Sequence, residues 1–585
     1  MRLTRAAALL TSMLVLAATA GAQQRRITGR VAASGTNEPL VAVSILVAGT
    51  TLGTRTNDAG EFSLVAPDAE VQLVARRIGF KQQTLRVPRD QAQVTFSLDR
   101  DVLMLEEQVV TGENTTVARR NAANDIATVS STELTRAPTP TIENALAGKI
   151  AGASVSQNSG APGGGIQVQL RGVTTINGSP DPLYIVDGVI VSNDAIASGA
   201  NAITAAAAGG NASNQDNPVN RIADFNPSDI ERIEVLKGAS ASAIYGSKAS
   251  NGVIIITTKR GSSGAPRFNL VQRVGTQEIS NEIGSRHWTL PGVYDYFGPK
   301  TPADTARYRA LYGSGATTDY EKLLFGQRDP SYETNLSARG GSEATRYFVS
   351  GLLKRDAGIM RGTGYDKQSL RANLSQTFSR RMTLDVNTNF VHSNAQRGLS
   401  NNDNSGTSYY MVLPFTPSFV NLRPVNGEYP ANPFERSNPI QTRDLLQNTE
   451  NVYRFTAAAN ARYSVFSRDR QSLTLSLNGG IDQFSQRNDI FSPNELLFEP
   501  QDGLPGTVVR GSTGNVNSNL NASLVHTFSP VGMALTATTS AGVQRERRDL
   551  DGASILTRGL IPGQSGVDQG SSVTVTPVSF PACAT

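Results

Sequence analysis

The sequence predicts an all-β protein in three parts: an N-terminal β-sandwich, a small α+β domain, and the first part of a transmembrane antiparallel β-barrel. Three observations predict it. A leader for export stands at the N-terminus, yet the rest of the chain holds no run of about 18 apolar residues, the length that reads as a membrane helix. From Pro266 onward, apolar and polar residues alternate with period two, as half-buried strands do. Long and short connections between those strands take turns, as they do in a membrane barrel. An exported chain that enters a bilayer without helices must close its strands into a barrel, because only closure pairs every backbone group there.

Composition narrows the function classes. Lys and Arg total 54 against 49 Asp and Glu, a net charge of +5 spread without a basic run, so nucleic acid is not an implied partner. The single cysteine, Cys583, excludes an internal disulfide framework and a Cys-rich zinc site, and His287, His392 and His526 stand apart from one another. Gly163-Gly164-Gly165 lacks the strand, helix and later acid of a dinucleotide site, and Gly246-Ser247-Lys248 puts serine before lysine, unlike a phosphate loop. Asn401-Asn402-Asp403-Asn404 reads as a solvated loop, since no ligand ladder with a terminal Glu follows it. Neither GxSxG nor HExxH occurs. No enzyme, metal site or cofactor is expected.

Taken in order, residues 1–22 form a secretory signal peptide: Arg2 and Arg5 precede the apolar run 6–18, and Ala20-Gly21-Ala22 sets cleavage before Gln23. Residues 26–101 read as the β-sandwich, with short strands at 27–31, 41–47, 62–65, 71–75, 82–87 and 94–98 between Gly, Pro, Asn and Asp turns. The linker 102–114 carries Leu105, Glu106, Glu107, Gln108, Val109 and Val110, an acidic, β-branched peptide suited to adding a strand to a partner sheet. Folding onto the next domain as a plain linker strand is the alternative. The α+β domain spans 115–261, with a helix at 141–147, strands at 153–156, 166–172, 184–189 and 230–234, and an Ala-, Gly- and Asn-rich flexible insertion at 195–214. In VLKGASASAIYGSKASNGVIIITTKRG, 239–245 can turn once as a helix, Gly246 breaks it, and Asn251-Gly252 turns the chain into the strand 253–259.

Residues 266–585 offer nine barrel strands, at 267–275, 332–339, 345–354, 367–378, 382–392, 453–465, 472–481, 517–528 and 533–543. Leu370, Ala372, Leu374 and Phe378 share one face of the fourth, opposite Arg371, Asn373, Ser375 and Thr377, as lipid and lumen faces would. A soluble sandwich also alternates, but the connections decide. Short turns at 340–344, 379–381, 466–471 and 529–532 alternate with long structureless segments at 276–331, 355–366, 393–451 and 482–516, which a compact soluble domain rarely holds. Trp288, Tyr409, Tyr410, Phe415 and Phe419 lie in the long segments, available to stack on sugar rings or to be buried beneath the loops.

The succession NALAGKIAGASV, SGAPGGG, QVQLRGV, DPLYIVDGV, NPSDIERIEVLKG and the glycine-punctuated stretch after it closely resembles the plug domain of SusC/RagA-like TonB-dependent outer-membrane transporters. ITGRV, EPLVAVSILVAGT, TRTNDAGEFSL and IGF resemble the carboxypeptidase-regulatory-like domain that many of them carry, a module without catalytic residues. The resemblance makes 105–110 a TonB box, with Gln108 departing from the usual LEEVVVTG. It also implies that Arg171, Gly172, Asp187, Gly188, Lys237, Gly238, Tyr245, Gly246, Asn251 and Gly252 mark the strand ends and turns of the plug. Structural ion pairs are expected of the charged ones ahead of substrate contact. The implied function is TonB-dependent import of a bulky oligosaccharide or peptide across the outer membrane, with TonB and a SusD-like surface lipoprotein as partners and no cofactor. A surface receptor or adhesin without transport, or a non-functional truncated transporter, is the alternative. Nine strands against the roughly 22 of such barrels suggest an N-terminal portion.

Overall fold

The computed structural model describes residues 24–580 except 35–37, 49, 51, 78–79, 81, 100–107, 113–114, 119–125, 135–141, 143–145, 158–159, 171, 173–179, 208–217, 238–244, 404, 469, 500–502 and 530–536. The signal peptide therefore lies outside the described residues, as do Leu105, Glu106, Glu107, Arg171, Gly238 and the helical turn expected at 239–244. The chain divides into two compact units, 1–109 with 116–122 and 110–115 with 123–585.

The first unit is a sandwich of seven strands: β1 (Gln24–Ala33), β2 (Ser44–Val47), β3 (Gly53–Arg55), β4 (Glu61–Pro67), β5 (Val71–Arg76), β6 (Gln83–Val87) and β7 (Gln93–Leu98). They form one sheet in the order β4-β1-β7 and another in the order β3-β2-β5-β6. Along β4, Phe62, Leu64 and Ala66 point inward while Glu61, Ser63 and Val65 face out, the alternation of a sheet with one dry face. Ile27, Ile45, Leu73, Phe96 and Leu98 complete the core. Strand β3 escaped sequence reading because Gly-Thr-Arg has no apolar pattern, and β2 begins later than expected, after Ala42 takes a left-handed φ of 58°. Next come β8 (Gln108–Gly112) and β9 (Thr115–Ala118), which pair with each other.

The α+β domain comprises β10 (Ile126–Ser130), β11 (Ala153–Gln157), β12 (Ile166–Leu170), β13 (Leu183–Val186), β14 (Val189–Val191), β15 (Ala195–Ile196), β16 (Val219–Asn220), β17 (Ile230–Leu236) and β18 (Val253–Thr258). Five of them make a sheet in the order β10-β17-β18-β13-β14, in which only β13 and β18 run parallel. Its core holds Val129, Val186, Ile233, Ile254 and Ile256, with Ile142 and Leu146 from 141–147, where the expected helix lies largely outside the described residues. Gly252 is obligatory where it stands. Its φ is +95°, and a Cβ there would meet Leu170 Cδ1 at 2.7 Å and the Leu236 carbonyl at 2.9 Å.

The flexible insertion expected at 195–214 is not what its described part forms. Ala195–Ile196 pairs with β16 and Ala200–Ala207 is a helix. Its Ala200 and Ile203 are buried with Leu399, Ile490, Leu496 and Phe498 from the barrel sheet and its connections. Alanine is the best intrinsic helix former, and outside partners supply the cover that the segment's own composition could not announce.

The third part is an antiparallel meander of ten strands, not nine: β19 (Gly264–Thr276), β20 (Pro330–Gly341), β21 (Thr345–Ala357), β22 (Gly364–Ser379), β23 (Met382–Gln396), β24 (Gln447–Arg468), β25 (Gln471–Ser492), β26 (Thr507–Phe528), β27 (Ala537–Leu560) and β28 (Gly570–Phe580). The missed tenth, with Val573, Val575 and the final Phe580, is rich in Ser and Thr and carries Pro577, which weakens the apolar signal. Strands β24 to β26 each have 22 residues, twice the roughly 9–11 needed to cross a bilayer. Polar pairing thus continues beyond the apolar band, so the long segments expected at 355–366 and 482–516 shrink to 358–363 and 493–506.

The other two long connections, 277–329 and 397–446, are not structureless. They contain helices Leu290–Phe297, Pro302–Gly313, Tyr320–Phe325 and Pro439–Leu445. Thr301 and Asp304 close a reciprocal cap on the second of these, with Pro302 in its first turn.

The sheet is inside-out. Leu370, Leu374 and Phe378 are 58%, 44% and 59% exposed, while Arg371, Asn373 and Ser375 between them are buried. The neighbours repeat this: Phe268, Leu336, Phe390, Leu477 and Leu520 face outward, and Asn335, Asn387, Asn389, Ser476 and Asn519 face inward. An outward apolar face and a buried polar one suit a wall between lipid and a polar lumen.

Candidate functional site

The α+β domain meets the wall through buried charge. Arg454 on β24 has a fully buried side chain. Its Nε and Nη2 donate to the two oxygens of Asp482 on β25 at 2.8 and 2.9 Å, a bidentate pair, and Nη1 reaches across to Asp224 at 3.2 Å. Nη2 also donates to the Ser192 carbonyl at 3.0 Å, Asp482 accepts from Ser192 N at 2.8 Å, and the guanidinium lies 4.7 Å from the centre of the Phe225 ring. Beside it, Arg221 pairs with Glu450 of β24 at 3.1 Å, and Arg397 reaches the same carboxylate at 3.4 Å. Short 3-10 turns, Arg221–Asp224 and Pro227–Asp229, present these groups; Asn226 caps the second, accepting from Ser228 N.

A second cluster surrounds Asp229 and Asp187. Arg371 Nε lies 3.3 Å from Asp229 and its Nη1 3.8 Å from Asp187, and Ser350 donates to Asp229 at 2.6 Å. Lys367 Nζ donates to the carbonyls of Ala223 and Phe225 at 2.9 and 3.3 Å. Asp187 also accepts from Thr258 N and Oγ1 at 3.0 and 2.6 Å, which holds its left-handed backbone (φ 51°) at the β13–β14 turn. From the wall, Asn460 donates to the Asp187 carbonyl at 3.3 Å and Asn519 to that of Gly188 at 3.0 Å.

Of the residues singled out in the sequence, Asp187 and Gly188 sit at this wall contact. Tyr245, Gly246 and Lys248 line a separate cavity of about 760 Å3 with Tyr184, Glu546 and Arg548. There Lys248 pairs with Glu546, and Asp194 with Arg548. Asn251 donates to the Asp181 carbonyl at 3.4 Å within the domain, and Lys237 is buried. Gly172 and Gly246 take left-handed φ values of 90° and 75°. Gln108, Val109 and Val110 lie in β8, and their side chains are outside the described residues. Sequence reading missed Arg221, Asp224, Asp229, Glu450, Arg454 and Asp482. For Glu450, Arg454 and Asp482 the signal available was a charged residue on the lumen side of an alternating strand, as at Arg371; Arg221, Asp224 and Asp229 stand on short 3-10 turns, where no such pattern exists.

Of the described residues 401–403, Asn402 alone is exposed, so the loop is not the solvated one expected throughout. Asn401 and Asp403 are buried, and the Asp403 carboxylate accepts from the backbone N of Ser405 and Ser408 at 2.7 Å each and of Thr407 at 3.3 Å. Those donors are one arm of the loop's own turn, so the acid is spent on backbone rather than held open for an ion. Among the aromatics, Tyr409 and Phe419 are buried, while Tyr410 and Phe415 are 51% and 44% exposed.

Residues 118–253 match the model of the TonB-dependent receptor plug domain, and residues 27–110 that of the CarboxypepD_reg-like domain. The TonB-dependent receptor SusC of Bacteroides thetaiotaomicron is 30% identical over 515 residues, 83% of this chain and 47% of its own length. The chain belongs to the SusC/RagA-like TonB-dependent receptors. TonB-dependent receptor P3 of Formosa agariphila is 30% identical over 380 residues, 64% of this chain and 33% of its own length. The open-open state of the RagAB peptide importer superposes with a TM-score of 0.60 at 22% identity, over 81% of this chain and 53% of that one, a likeness of fold. The chain thus spans less than half the length of these two curated relatives. Its α+β domain is the plug of the family and its ten-stranded sheet is barrel wall.

Proposed function

We propose that these residues form the plug and part of the wall of an outer-membrane importer that takes up a bulky oligosaccharide or peptide and is driven by TonB. The observation that carries this reading is the plug's attachment: buried, hydrogen-bonded ion pairs to a polar lumen face. Among the described residues of the main plug core, Ala458 is the one buried side chain drawn from the wall, and further apolar contact between plug and wall is made by the short helix Ala200–Ala207 against Ile490 and Val509. An apolar seal would expose greasy surface on opening, whereas charge pairs can exchange one another for water as the lumen floods. The plug is therefore bound firmly yet separable, which suits a gate opened by pulling. The relatives named as TonB-dependent receptors and the plug match support the same reading. A SusD-like surface lipoprotein is the proposed lid, and the outer membrane the proposed location after signal-peptide cleavage.

The pulling point proposed is the TonB box at 105–110. Among the described residues β8 is paired with β9 alone, so TonB can add a strand at the other edge of β8 or take the place of β9. Val109→Pro removes an amide donor and fixes φ. Uptake by cells carrying it should drop to the level of a strain lacking TonB, while cargo binding at the cell surface stays unchanged. Uptake at the normal rate would show that the segment is only a linker, and an adhesin would be indifferent to the change.

A further inference from the structure

Connections 277–329 and 397–446 fold against each other around a core of their own, with Val293, Tyr320, Phe419 and Ile440 buried together and Trp288, Phe297 and Phe434 packed on them. Between them lies a cavity of about 540 Å3, within the ~300–1,000 Å3 of small-ligand sites. Rings line it. Trp288, Tyr296 and Phe297 touch one another with centroids 4.9–5.5 Å apart, and Phe325 and Tyr410 lie near parallel, 6.5 Å apart. Tyr296, Tyr410 and Phe415 leave about half of their surface uncovered.

The cavity's polar groups are largely spent within the cap. Thr318 N donates to the Ser418 carbonyl at 2.7 Å and Ser418 Oγ to that of Arg286 at 3.2 Å. The Tyr320 hydroxyl donates to Val420 O at 2.6 Å, and Glu321 accepts from Gly284 N at 2.8 Å. A sugar ring would bury hydroxyls with few partners, and each unpaired polar group costs about 1–3 kcal/mol. The Arg286 guanidinium is the exception. It lies 4.3 Å from the Trp288 ring centre and 5.3 Å from that of Tyr296, and among the described residues it donates to no acceptor and pairs with no acid. Held over two rings and with no acceptor of its own, it can take a carboxylate.

We propose that this cavity binds the apolar C-terminal residue of a peptide, the rings taking the side chain and Arg286 the carboxylate. As a statement about cargo it rests on the import reading; as a binding site it does not. Trp288 is the chain's single tryptophan, so its fluorescence reports the site alone. The full chain, folded in detergent, is titrated with Ala-Ala-Phe, with the same peptide amidated at its C-terminus, and with maltotriose. The acid should give a saturable change, with the amide weaker by about fivefold or more, the worth of a partly exposed charge-assisted bond. Arg286→Gln, at an exposed position, should bring the acid down to the amide's affinity and leave the amide unchanged. Equal affinity for acid and amide, no saturable response to either, an equal loss of both in Arg286→Gln, or a maltotriose response in the same concentration range would each overturn the assignment. Val109→Pro should leave the titration untouched, so its failure beside TonB-driven uptake would remove the site and spare the importer.

Discussion

The N-terminal sandwich and the ten-stranded wall are both antiparallel β-structures with period-two alternation, yet they bury opposite residues. In the sandwich, Phe62, Leu64 and Phe96 are inside and Glu61 and Ser63 outside; in the wall, Arg371, Asn373 and Arg454 are inside and Leu370, Leu374 and Phe390 outside. Alternation therefore specifies a two-faced strand and leaves open which face is core. What decides is the medium on each side: water around the sandwich, hydrocarbon around the wall and a polar lumen within it. The plug is the intermediate case. It has an apolar core of its own and a charged surface shaped to the wall.

The largest test of this comparison is Arg454→Ala. It strands the buried carboxylates of Asp482 and Asp224, and breaking such a pair costs about 3–5 kcal/mol. Phe96→Ala in the sandwich should cost about the same for the opposite reason, a cavity in an apolar core. In denaturant melts of the full chain in detergent, each should lower the transition of its own unit only. Joint replacement of Arg454 and Asp482 by Leu should recover part of the first loss. A cost below about 1 kcal/mol for Arg454→Ala would mean that water already screens the pairs, and the firm attachment of the plug would have to be given up.

A smaller effect separates the two outward faces. Leu370→Arg places a charge in the apolar band and should destabilise the wall by about 2–4 kcal/mol in lipid. Val65→Arg, on the outer face of the sandwich and also partly exposed, should stay within about 0.5 kcal/mol. Stability in vesicles checks the pair. Similar small costs at both positions would show that the Leu370 face does not meet hydrocarbon.

Much of this was legible because alternation, glycine turns and motif order are local. The turn at Asn251-Gly252 and the faces of β22 could be read from a few neighbouring residues, whereas the turn at Asp187-Gly188, inside what reads as one strand over 184–189, came from the family resemblance. The attachment of the plug could not: Arg454 and Asp224 are 230 positions apart, and neither stands in a motif. Helix Ala200–Ala207 was misjudged for the same reason, since the residues that cover it come from distant strands. Strand lengths were underestimated where apolar alternation ends but backbone pairing continues, as it does in β25 from Asp482 to Ser492.

The finest comparison is between two buried carboxylates in the connections. Asp403 is opposed by burial, but its hydrogen bonds from Ser408 and Ser405 outweigh this and hold its pKa below the usual value. Glu499 goes the other way. It accepts from Thr507 Oγ1 at 2.9 Å, Gly506 N at 3.0 Å and Ser492 Oγ, tying the end of β25 to the start of β26. Burial nevertheless dominates, and its pKa is pushed from 4.5 up to about 7, with Arg558 acting weakly against the shift. An acid whose folded pKa is raised keeps its proton in the closed loop between about pH 4.5 and 7 while the opened loop has lost it. The closed form is therefore favoured below that window and loses the advantage as pH rises through it. Backbone amide exchange across 493–506, corrected for its intrinsic pH dependence, should show protection falling between pH 5 and pH 8, values chosen to bracket about 7. In Glu499→Gln, protection should be level across that range. The Asp403 loop should be level in both proteins, because its stabilising ionised form is complete above about 3.8 and is lost only as pH falls further. A level profile at 493–506 in the unmodified chain would show that the three donors, rather than burial, govern Glu499.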